Sequence, residues 1–193
     1  VEIPTSGERA EAPMPPEAAL DLLRFWFGPD LERDTAPPEQ AERWFREDPG
    51  FDAEIEARFG PLCERAVTSG LEGWADTPEG ALAEIIVLDQ LKRNLHRGSP
   101  RAFEADARAL EATRAAIRRG DDRRVSPMLR RFFYMPLMHA ESLEAQRACK
   151  LAFERMIEEG LDYGKTLSFA EAHLEVIERF GRFPHRNEVL GRA

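Results

Sequence analysis

Apolar residues along the chain recur at intervals of three and four, the spacing of a helix face, and no segment alternates convincingly as a strand would. Turn and cap residues divide this pattern into predictable pieces. A first helix spans about 17–27 and stops at Gly28-Pro29, and a second covers about 38–46 with Trp44 and Phe45. A third covers 51–68, where Gly60-Pro61 is expected to kink it, and it ends before Gly70. Thr77-Pro78 opens the longest apolar helix, 78–95, closed by Gly98. Ser99-Pro100 opens the next, which runs to about 119 and closes at Gly120. Ser126-Pro127 begins another that bends or ends at Pro136, and helices over about 142–159 and 168–180 complete the set. Pro just inside helix starts and Gly just past helix ends is the asymmetry expected of helix termini. Eight or nine helices on short turns predict an all-α array of antiparallel neighbours in a single domain, 17–193, behind a disordered proline-rich lead at 1–16.

At 193 residues the chain is long enough to bury about 70% of its unfolded surface in one core without staples. Its net charge of −9 argues against general nucleic-acid binding, which needs a broad basic face. No apolar run approaches the roughly 20 residues of a membrane span, so no membrane partner is expected. Cys63 and Cys149 are isolated and lack metal or redox spacing, which suits reduced thiols and a cytoplasmic location. The aromatic runs Phe25-Trp26-Phe27 and Trp44-Phe45 are expected in the core and between helices.

Against this acidic background one stretch is basic. Residues 179–187 carry Arg179, Arg182, His185, Arg186 and Asn187 among Phe180, Gly181, Phe183 and Pro184. Gly181 fits a helix C-terminus and Pro184 the first turn of another, so cationic side chains and fresh backbone N–H groups converge at a corner. That arrangement suits an anion.

Several strings resemble a bacterial family of unknown function, domain of unknown function 924. They are Leu88-Asp89-Gln90, Arg93-Asn94, Arg97-Gly98, Tyr134-Met135-Pro136, His139, Glu141 and the final RFGRFPHRNEVLG from Arg179 to Gly191. Trp44-Phe45, Asp48, Phe51-Asp52 and Arg58-Phe59 resemble its N-terminal pattern. The resemblance covers roughly 18–191 and implies a helical fold similar to tetratricopeptide repeats. It brings no activity. This chain departs from the pattern at Leu91-Lys92, Ala140 and Glu84, close to the polar cluster.

Asp89 and Arg93, four apart on an apolar helix, share one face and form either an intrahelical ion pair or, with Gln90, Asn94 and Arg97, one wall of a polar cavity. Glu84 is expected as the like-charge neighbour that sets the protonation of Asp89. His139 and Glu141 follow a helix broken by Pro136, and Tyr134 precedes it. His173 lies on the apolar face of its own helix, either as a satisfied core histidine or as part of the cavity. No two histidines have the spacing of a helical metal site, so neither metal nor cofactor is assigned. The leading expectation is a small lyase or hydrolase acting on an anionic metabolite. In it His139 or His173 moves a proton, Glu141 or Asp89 orients the ring, and the arginines with Gln90, Asn94, Tyr134, His185 and Asn187 bind substrate. The alternative is a helical adaptor with a groove for a peptide or partner protein.

Overall fold

A computed structural model describes residues 13–193. Most of the expected lead therefore lies outside the described residues, and 13–16 carry no regular structure. The helices are α1 (Glu17–Phe27), α2 (Pro38–Phe45), α3 (Pro49–Thr68), α4 (Pro78–Ile86), α5 (Lys92–Leu95), α6 (Asp106–Arg119), α7 (Pro127–Phe133), α8 (Met135–His139), α9 (Leu143–Glu158) and α10 (Gly164–Phe180). A π-helical turn, Val87–Leu91, joins α4 to α5, so the two form one rod over the expected 78–95. Counted that way, the described residues form nine helices and no strand, the all-α array that the spacing predicts.

The local chemistry explains most boundaries. Asp48 accepts hydrogen bonds from the N–H groups of Gly50 and Phe51 and starts α3 ahead of Pro49; Thr77 accepts from Gly80 and starts α4 ahead of Pro78. Gly120 and Gly181 close α6 and α10 with φ of 76° and 65°, a region costly for residues with a Cβ. Three boundaries differ from the sequence reading. α3 runs through Pro61 unbroken, α10 begins four residues before Ser168, and Ser99-Pro100 opens only a short 3₁₀ turn, Pro100–Phe103, with α6 starting at Asp106. Ser168 Oγ donates back to the Gly164 carbonyl at 3.1 Å, so it serves the helix interior and leaves the N-cap to Tyr163.

The core lies around α4, which packs against α1, α6 and α7 and is buried on nearly every side. Its start admits no side chain at Gly80, because a Cβ there would sit 2.1 Å from the Trp74 carbonyl oxygen. Trp26, Phe27, Trp44, Phe51 and Phe132 form an aromatic cluster with centroid separations of 4.8–6.2 Å, and Trp44 Nε1 donates to the Trp26 carbonyl. Phe45 is the exception to the expected packing. It projects outward at 56% exposure.

Candidate active site

The π-turn adds a residue to its helical turn and so rotates the following side chains by about 100° relative to α4. Asp89 lies within it, 1% exposed, and meets His139 at the end of α8. His139 Nδ1 is 2.7 and 3.0 Å from the two carboxylate oxygens. Gln90 Nε2 donates to Asp89 Oδ2 at 2.5 Å, and Arg93 Nη1 lies 2.9 Å from Oδ1. The ion-pair reading of Asp89–Arg93 thus holds, whereas Asn94 and Arg97, which the cavity-wall reading added, turn to Asp52 instead. Arg93 also pairs with Asp106 at 3.0 Å; Asp106, at the start of α6, pairs in turn with Arg186 at 3.2 Å. Arg186 donates to the His139 carbonyl and lies 4.6 Å from the ring centroids of Phe103 and Phe183. Gln146 of α9 fixes the end of α8 by donating to the carbonyls of Met138 and Ala140.

The charges in this network balance. Burial alone would raise the Asp89 carboxyl, but Arg93 and His139 outweigh it and hold Asp89 well below the usual carboxylate range. Desolvation lowers the His139 ring, Arg93 and Arg186 add to that, and the attraction of Asp89 only partly offsets them. The ring is therefore neutral at pH 7, with Nδ1–H directed to Asp89. Two carboxylates, Asp89 and Asp106, face two guanidiniums, Arg93 and Arg186. No positive charge is left over for a ligand.

His139 Nε2 has no protein partner among the described residues; His139 lines a cavity of about 440 Å³ together with Phe103, Asp106, Glu141 and Arg186, and on another side it lines a cavity of about 630 Å³. Two stripes line it. Arg131, Met135, Met138 and His139 come from α7 and α8; Lys165, Thr166, Phe169 and His173 come from α10 at four-residue spacing. Ala41, Glu42 and Phe45 of α2 close the third side. The walls are mainly apolar and the volume is typical of a small-molecule site.

His173 is a wall of this cavity rather than an enclosed core residue. Its Nδ1–H donates to the Phe169 carbonyl at 2.8 Å, and its helix face is open, with Phe169 54% and Phe180 50% exposed. The other predicted residues are placed elsewhere. Asn94 and Arg97 both bind Asp52 of α3, at 2.7 and 2.8 Å, and fasten two helices together. The Tyr134 hydroxyl donates to Asp122 and accepts from Arg130, beside a separate cavity of about 440 Å³ that Arg118, Arg119, Arg123 and Arg155 also line. Glu84 faces Arg108 and Arg119 and does not act on Asp89.

The basic corner does hold an anion, but an internal one. Glu141 accepts from the Phe183 N–H at 2.8 Å and takes both terminal nitrogens of Arg192 at 2.6 and 2.9 Å. Glu141 is thus a clamp on the C-terminal segment and orients neither histidine. Around it, Arg182 donates to the Ala193 carbonyl, Arg179 stacks on Phe180, His185 is exposed, and Asn187 Oδ1 is buried without a partner. Among the described residues no three His, Cys, Asp or Glu side chains converge as a metal site requires.

A family described as bacterial proteins of unknown function, domain of unknown function 924, matches residues 22–193. The chain belongs to this family. It is similar to the solved structure of a protein of unknown function from Agrobacterium tumefaciens, at 37% identity, with 92% of each chain covered and a TM-score of 0.77. No curated protein matches the chain.

Within this family member, sequence reasoning missed Asp106, Arg131, Lys165 and the methionines of α8. Asp106 carried a weak signal, as an acidic residue in a first helical turn. Arg131 carried none: it is one arginine of a basic pair within an apolar helix.

Proposed function

We propose that the chain is a small enzyme that moves a proton at His139 Nε2 on an anionic metabolite bound in the 630 Å³ cavity. The observation that carries this reading is the contact between a wholly buried Asp89 and His139 Nδ1, in a histidine that lines the cavity and whose other ring nitrogen has no partner among the described residues. Asp89 fixes the tautomer, and the neutral ring accepts a proton from substrate or water and returns it to the leaving group. Such a step suits an elimination or a hydrolysis. His173, with Nδ1 committed to a backbone carbonyl, is a second histidine lining the cavity, from the α10 side.

The test is conversion of metabolites in a bacterial extract, followed by mass spectrometry with the wild type and His139→Gln. General acid–base groups contribute roughly 10²–10⁴-fold, so an anionic compound consumed by the wild type should persist with the variant over the same time. Equal consumption by both proteins would refute His139 as the proton carrier.

A second reading rests on Phe45 and Phe169, exposed aromatics on the cavity rim. Exposed apolar groups beside a groove also suit a peptide, as in an adaptor. A protein that converts no metabolite but retains an apolar peptide, and loses it on Phe45→Ser with Phe169→Ser, would favour the adaptor.

A further inference from the structure

Most arginines among the described residues have a carboxylate within 4 Å. Those without one are exposed or donate to a backbone carbonyl, with a single exception. Arg131 is half-buried, its Nε is buried without a partner, and no carboxylate or carbonyl meets its guanidinium. Desolvation accordingly lowers its pKa. Four rings surround it instead, those of Phe132, Trp44, Phe45 and Tyr163, at 5.4, 5.5, 5.6 and 5.9 Å from their centroids. Removing a cation from water with only aromatic compensation costs free energy that an anion in the cavity would recover.

A second, independent feature lies at the same end of the cavity. α10 has 17 residues, no side-chain N-cap and no acidic residue in its first turn. That first turn lines the cavity with Lys165 and Thr166. Its N–H groups and its dipole are therefore unpartnered beside Arg131 and Lys165. Glu42, exposed on α2, is the only carboxylate among the lining residues and pairs with neither cation.

The remaining walls set the rest of the ligand. Between the Arg131 end and the His139 end lie Met135, Met138, Phe45 and Phe169, which offer apolar contact and little hydrogen bonding. Eight residues separate Arg131 from His139, at most roughly 12 Å along helical backbone. His173 also lines the cavity, and its ring meets Phe183 edge-on.

We propose that the substrate is an amphiphilic anion, whose carboxylate or phosphate is held by Arg131, Lys165 and the first turn of α10. Its apolar body lies along the methionines and phenylalanines, and its reacting bond sits at the far end, against His139. The inference rests on the proposed acid–base site and names the substrate class for it. It separates the two kinds of charge in the molecule: Arg93 and Arg186 are neutralised within the fold, and Arg131 is kept for the ligand.

Octanoate, octyl phosphate and octanamide serve as probes, measured by titration calorimetry on the full chain. One or both anions should bind the wild type at least tenfold more tightly than octanamide, and Arg131→Met should remove that preference. Comparing octanoate with octyl phosphate separates a carboxylate from a phosphate headgroup. Amide NMR of the wild type gives a reading that needs no variant: the anion should shift Gly164, Lys165 and Thr166. Arg131→Lys should retain part of the preference, because it keeps the charge and loses the planar fork. Anion binding unchanged in Arg131→Met, equal affinity for octanamide, or no shift in the α10 first turn would overturn the proposal. His139→Gln should bind the anions as the wild type does. Loss of turnover in that variant with binding intact tests the acid–base reading alone, so the two failures are distinguishable.

Discussion

Replacing Asp89 by Asn preserves shape and removes the charge at the centre of the buried network. In the wild type this carboxylate accepts from His139 and Gln90 and pairs with Arg93. An amide has one acceptor oxygen, so at least one of these donors then faces an NH₂ group. Hydrogen bonds to charged groups are worth ~1.5–3 kcal/mol each. Arg93 keeps Asp106, which limits the loss, while the site is fully dry, which enlarges it. The expected destabilisation is about 3–5 kcal/mol, the range for breaking a buried pair. At about 2–4 °C per kcal/mol for a domain of this size, Tm falls by roughly 6–20 °C. Thermal and urea unfolding followed by circular dichroism measure it. The sign with pH is set by the depressed folded-state pKa: the charge stabilises above the unfolded value of 3.8 and its contribution is lost as pH falls toward the folded one. The gap between wild type and variant should therefore narrow in acid, starting near that value. A Tm change corresponding to less than about 1 kcal/mol would refute the reasoning, as would a gap that stays constant down to about pH 3.

Three further outcomes follow from other parts of the fold. Gly80→Ala forces a Cβ against the Trp74 carbonyl oxygen and should cost at least roughly 1–3 kcal/mol in urea unfolding, whereas Gly120→Ala, with open space around it, should show only the smaller strain of a positive φ. Burial pushes the thiol of Cys63 up to about 12 and that of Cys149 higher still, so neither should react with a disulfide reagent at neutral pH until the protein unfolds; prompt reaction in the native state would contradict their burial. Arg192 holds the Glu141 carboxyl below its ordinary value of 4.5, so its clamp on the Phe183 N–H is fully present above that pH and weakens as pH falls below it, and Glu141→Ala should speed hydrogen exchange at Phe183 already at neutral pH.

The sequence by itself determined the helices, because their signals are local. Ser, Thr, Asp or Pro at starts and Gly at stops act within one turn, and the apolar spacing selects the buried face. Of the residues it grouped in one pocket, Asp89, Gln90, Arg93, His139 and Arg186 do meet, although Arg186 joins through Asp106, which it did not mark. Tertiary structure alone decided which cations are consumed by the fold and which are left. Arg186 meets Asp106 across 80 positions, His139 meets Asp89 across 50, and Glu141 meets Arg192 across 51. Nothing in the local pattern around 179–192 distinguishes an arginine that will be neutralised from one that will bind substrate. The basic corner therefore announced an anion site, and the packing of α8 against the C-terminal segment filled it with Glu141. Arg131 is the reverse case. It sits in an apolar helix with no neighbouring chemistry, and its lack of a partner exists only once α2, α7 and α10 have come together and left no carboxylate beside it.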